Sequence, residues 1–157
     1  MNLSPHFTLE EFTRSSTAAR RGIDNGLPLE LTQAAKKTAQ MLEAIRAHLS
    51  SIAGRDIAIS ISSGYRCPEL NRAIGSSDTS DHPKACAADW RADGFGTPVE
   101  ICKALAPMVG VLGIGQLINE FPGPNGWVHT STRLPTKTVN RIITITARGV
   151  VVGIQEA

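Results

Sequence analysis

The segment "SSGYRCPELNRAIGSSDTSDHPKACAADW", Ser62 to Trp90, gathers an Arg, a His and an Asp into a run of mostly small and polar residues. Just upstream, Ile57, Ile59 and Ile61 alternate with small residues, the period of a half-buried strand. That strand runs into Gly64-Tyr65-Arg66, which puts Arg66 at a strand end. "CPELNRAIG" reads as a short helix entered through Pro68. "SSDTSDHPK" reads as a loop and "ACAADWRA" as a second strand of small residues. His82 therefore lies in a loop that feeds a strand, seven residues before Asp89.

The flanking sequence completes the plan. Thr8 and Glu11 have capping-box spacing, so a short helix is expected over roughly residues 9–14. "RRGIDNGLP" is expected to be a loop. From Pro28 to about Ser50, Ala35, Thr38, Leu42, Ile45 and Leu49 share one face of a long helix. Thr97-Pro98-Val99-Glu100 is a second capping box, opening a helix that runs to about Met108, with Val99, Ile101 or Cys102, Leu105 and Met108 inward. "VGVLGIGQLINEF" is expected to be a Gly-interrupted strand, "PGPNG" a turn and "GWVHTSTR" the returning strand. "RIITITARGVVVGI" predicts a last hairpin, turned at Arg148-Gly149. The class is α+β: N-terminal helices packed on a mostly antiparallel sheet, in one domain over residues 1–157.

Composition excludes several classes. The 157 residues are 41% hydrophobic and 19% charged, with a net charge of +2, too small a surplus for a nucleic-acid partner. The pairs Arg20-Arg21 and Lys36-Lys37 read as solvated surface. Three cysteines, Cys67, Cys86 and Cys102, are too few for a disulfide framework. No apolar run reaches the length of a membrane span, so no membrane insertion is expected. The N-terminus has neither a basic region nor an apolar core, so synthesis without a signal peptide is expected.

Of the four histidines, His6 and His48 read as ordinary surface residues, in a tail and on a helix. His82 and His129 stand apart, His129 being within a strand and next but one to Trp127. Two imidazoles and one carboxylate are what a catalytic zinc ion takes from protein, with a fourth position for water. On chemistry alone this reading competes with a packed His and a turn-capping Asp.

The segment, with "QLINEF" and "WVHTS" after it, resembles the zinc D-Ala-D-Ala carboxypeptidase and L-alanyl-D-glutamate endopeptidase family, whose fold is shared with hedgehog amino domains. The pattern it is similar to is Ser-Gly-Tyr-Arg, a downstream Asn, Ser-x-His-x-x-Gly-x-Ala-x-Asp and a later Trp-x-His. The opening "HFTLEEFTRSSTAARRGIDN" resembles the phage-encoded branch, so the likeness runs from about His6 to Ser131. It implies a zinc site of His82, Asp89 and His129 and a peptidoglycan stem-peptide substrate. Such a wall target would be reached after lysis or delivery in a phage particle. Arg66 would hold a substrate carboxylate or carbonyl, as its planar fork suits, with a structural salt bridge as the alternative. Ser80 would bond substrate or a ligand, or simply shape a turn. Asn71 would tie the loop to the strand end.

Two departures bear on activity. Some relatives carry a carboxylate three residues before the last His, where this chain has Gly126. Glu120, at the end of the preceding strand and across a short turn from Trp127, is the best substitute as general base, with Asp81 a weaker rival. Trp127 is expected to pack beneath the site or to stack on substrate. The pattern's Gly is Ala85 here, which fits if the backbone is ordinary and shifts His82 if it is not. Cys86, next in line, reads as packed or as lying near the metal; Cys67 and Cys102 read as structural. The expected function is a zinc-dependent peptidoglycan peptidase of D,D-carboxypeptidase or L,D-endopeptidase type. The alternatives are a non-catalytic wall-binding or virion tail module and a structural virion component without metal.

Overall fold

Both capping boxes form in the computed structural model, which describes residues 1–156. Thr8 caps α1 (Leu9–Thr13) with Glu11 returning the bond, and Thr97 caps α5 (Pro98–Leu105) with Glu100. Between them lie α2 (Ser16–Arg21), α3 (Thr32–Ala53) and α4 (Pro68–Ala73). The predicted stripe of α3 is buried at all five positions, together with Ala39 and Met41. On α5, Ile101, Cys102 and Leu105 are buried and Val99 is half-buried, as is Met108 in the 3-10 turn that follows (Ala106–Met108).

The strands are β1 (Ser60–Ser63), β2 (Ala87–Arg91), β3 (Gln116–Glu120), β4 (Trp127–Ser131), β5 (Ile142–Thr146) and β6 (Gly149–Val152). They form one sheet in the order β1-β2-β4-β3-β5-β6. Every pairing is antiparallel except β3 with β5, which is parallel. The architecture is the expected α+β class.

Alternation along the strands assigns the two faces. Ile61, Ala88, Trp90, Leu117 and Val128 point into the core shared with Leu42, Ile45, Leu49, Ile101 and Leu105 of the helices. Trp90 satisfies its indole by donating to Thr130 Oγ1 at 3.0 Å. The opposite face carries Asp89, Glu120, Trp127, His129 and Ser131, fixed by the registers Asp89↔His129 and Glu120↔Trp127. A one-residue slip would exchange the two sets, so burial of Val128 and Thr130 is what presents His129 on the other side.

Three expectations need correction. Arg20 and Arg21 end helix α2 rather than lying in a loop; Ser15 caps that helix and Gly22 closes it at φ 65°. The stretch Val109–Gly115 is a turn and not a strand, because Gly113 adopts φ 74° and Ile114 N–H bonds back to Val109 O. Val109, Leu112 and Ile114 still reach the core from that turn. The last hairpin turns at Ala147-Arg148, one residue early, and Gly149 opens β6. Among the described residues, no helix is long and apolar enough to cross a membrane.

Candidate metal centre

His82, Asp89 and His129 converge so that one donor atom from each lies within 4.8 Å of the others, all buried. His82 Nε2 is 3.3 Å from Asp89 Oδ1, and His129 Nδ1 is 2.8 Å from the same oxygen. Ligand atoms about 2.0–2.2 Å from a tetrahedral zinc ion stand roughly 3.3 Å apart, close to this spacing. The donor set of two imidazoles and a carboxylate is that of an open catalytic zinc site, so the residues present fit the ion.

Each side chain is held from behind. His82 Nδ1 lies 2.6 Å from Gly64 O, which fixes the ring and turns Nε2 toward Asp89, the usual device for orienting a ligating His. Gly64 must be glycine. A Cβ there would lie 2.4 Å from Phe12 Cδ2 and 2.5 Å from Phe12 O. Asp89 Oδ2 accepts from Arg66 Nη2 at 2.6 Å, and Arg66 Nε donates to Ser63 Oγ at 2.8 Å. Arg66 thus braces the central carboxylate, and its Nη1 bonds neither partner.

The charges follow from this packing. Burial would push the Asp89 carboxyl up, but His82 and His129 outweigh it and hold the group far below the usual carboxylate range. Burial would lower His129, but its bond to Asp89 raises it instead. Glu120 Oε1 lies 3.8 Å from His129 Nδ1. Burial and the nearby negative charge of Asp89 push the Glu120 carboxyl up to about 7. The carboxylate missing at Gly126 is therefore matched by one from the neighbouring strand. Gly126 itself has no room for a side chain, because a Cβ would lie 2.4 Å from Phe121 O.

The other candidates sort themselves around this group. Asp81 points elsewhere: it accepts from Ser131 Oγ and from Arg133 Nη1, both at 2.7 Å. Ser80 Oγ accepts from His82 N–H at 3.3 Å, which gives it the turn-shaping contact. Trp127 is half-buried and tilts against Phe121, ring centroids 5.4 Å apart. Asn71 Nδ2 donates to Ser77 O at 3.0 Å, tying α4 to the following loop rather than to the strand end. Cys86 is half-buried with its thiol on Lys84 O, Cys67 caps α4, and Cys102 is buried, its thiol pushed up to about 12 by burial.

Ala85 resolves the question its identity raised: its backbone is left-handed, φ 57° and ψ 24°. The position is one that glycine occupies at no steric cost. Here Thr38 Oγ1 on α3 donates to Ala85 O at 2.8 Å and pins the turn in place.

Sequence reading passed over Asn25, counting it as a loop breaker. Its Nδ2 donates to Thr13 O at 2.7 Å and Tyr65 O at 3.0 Å, and its Oδ1 accepts from Cys67 N–H at 2.7 Å. It clamps the backbone on both sides of Arg66. The signal available was an Asn between two breakers, which carries no direction.

The sequence model of a family described as Peptidase M15 matches residues 5–131. No curated protein matches the chain.

Proposed function

Because the chain belongs to the Peptidase M15 family, a family of zinc peptidases, we propose that it hydrolyses amide bonds in the stem peptides of peptidoglycan. The finer reading is a D,D-carboxypeptidase or L,D-endopeptidase from a phage or prophage, acting on the wall after lysis or particle delivery. The observation that carries it is the buried His82–Asp89–His129 group with Glu120 beside it.

In this mechanism His82, Asp89 and His129 hold the zinc ion. The bound ion supplies a Lewis acid and lowers the pKa of water to about 7. Glu120 accepts a proton from the attacking water and returns it to the leaving nitrogen. In the metal-free protein burial and the charge of Asp89 raise its carboxyl to about 7, which makes it a stronger base than a free carboxylate. Arg66 keeps Asp89 aligned, and its remaining Nη1–H is the donor left for a substrate oxygen. Trp127 stands opposite Glu120 in the register and packs against Phe121. Ser80 steadies the His82 turn from outside it.

The test is a digest of defined muropeptides read by mass spectrometry, which also names the bond cut. Cleavage is expected to stop on chelation and return with zinc. His82→Ala is expected to be folded and inactive, and full activity in that variant would reject the scheme. A wall-binding module would retain its binding and be indifferent to Glu120→Gln.

A further inference from the structure

We propose that the polar cleft next to the metal group, walled by Lys84, Arg133 and Lys137, holds a carboxylate of the stem peptide. The inference rests on the peptidoglycan reading above and adds a specificity site to it. The cleft has a volume of about 620 Å³, within the range of small-ligand sites.

Its position follows from the strand registers. Glu120↔Trp127, Ile118↔His129 and Gln116↔Ser131 are successive pairs on the face that bears the metal group. Gln116 lines the cleft. Two residues along a strand span about 7 Å, so a peptide whose scissile bond meets His129 reaches the cleft within a residue or two. Ser131 Oγ binds Asp81 Oδ2 at 2.7 Å, which joins the cleft wall to the His82 loop. The opposite wall is fixed by Gln116 Nε2 donating to Asn140 O at 2.9 Å.

Its charge favours an anion. Lys84, Arg133 and Lys137 face two carboxylates, Asp78 and Asp81. Asp81 is shared by Arg133 at 2.7 Å and Lys84 at 3.6 Å, and Lys137 has no ion-pair partner among the described residues. A second guanidinium edge and a free ammonium are thus available to a carboxylate. Stem peptides supply that chemistry twice, through the free carboxylate of glutamate and through the chain end. The wall formed by residues 133–140 lies beyond the 5–131 family match, while Asp78, Asp81, Lys84 and Gln116 lie within it.

The experiment compares a synthetic stem pentapeptide ending in D-Ala-D-Ala, which contains both candidate bonds, with two analogues, one amidated at the glutamate carboxylate and one at the C-terminus. Cleavage and calorimetric binding are both measured on the zinc-loaded protein. One amidation is expected to weaken binding about 10-fold, the loss of one charge-assisted hydrogen bond, and it identifies the carboxylate held. Lys137→Gln is expected to reproduce that loss through KM with kcat unchanged, and only on the free acid. Arg133→Lys, which keeps the charge on Asp81, is expected to retain most of the discrimination. Equal binding of all three peptides by the wild type overturns the cleft assignment. So does a Lys137→Gln variant that still discriminates. Discrimination in binding with no cleavage leaves the cleft standing and removes the peptidase reading instead.

Discussion

At Glu120, burial and the charge of Asp89 keep the carboxyl protonated up to about pH 7, against 4.5 for a free glutamate. Ionising it costs the fold nothing below pH 4.5; the cost builds between pH 4.5 and about 7 and levels off above that. Metal-free Glu120→Gln is therefore expected to be more stable than wild type by about 1–3 kcal/mol at pH 8 and equal to it at pH 4, as read by urea unfolding. In the zinc-loaded protein the same substitution is expected to lower kcat by about 10²–10⁴-fold. Ala85 calls for a second measurement. A left-handed alanine costs about 1 kcal/mol, and its buried methyl returns about 0.8 kcal/mol. Ala85→Gly is expected to leave stability within about 1 kcal/mol of wild type with zinc affinity unchanged. Ala85→Val, β-branched in a buried left-handed turn, is expected to cost more than about 2 kcal/mol. His82, Asp89 and His129 were picked out by the resemblance of their motifs to a zinc-peptidase pattern, since chemistry alone left a packed His and a turn-capping Asp open. The left-handed turn at Ala85 was not legible, because alanine carries no mark of its backbone angle.

Elements were legible where a single helix or strand decides its own pattern. The stripe on α3 and the two capping boxes are local, and they formed where the periodicity put them. Helix α2 was missed because it buries only Ala18, too little for a periodic signal. The Val109–Gly115 turn was misread because its three core residues mimic strand alternation. The clamp by Asn25 was invisible for a different reason: it joins the end of α1 to the segment after β1, and no local pattern reports a contact between 25 and 65. Asn25→Ala removes three hydrogen bonds and leaves buried backbone groups unpaired. A loss of about 2–4 kcal/mol is expected by chemical unfolding, with weaker zinc binding because Gly64, which anchors His82, loses its support.

Across the whole molecule, the family match ends at Ser131 but the sheet does not. Strand β5 pairs in parallel with β3 through four registered residues, and Ile143 is buried beside Ile118. A chain cut after Arg133 keeps every metal ligand yet strips β3 of that neighbour. It is expected to lose cooperative thermal unfolding by circular dichroism, whereas the intact chain shows one transition. The parallel pairing was not legible in the sequence, since β5 reads equally well as the first arm of an isolated hairpin. The Asp89↔His129 register joins strands 40 residues apart. A chain still leaving the ribosome holds His82 and Asp89 long before His129 is made, so the cation cannot act as an early template. Closure over long loops is slow, and capture of the ion waits for it. Zinc uptake by a refolding chain would then keep time with assembly of the central strands, making the ion a reporter that the sheet has closed.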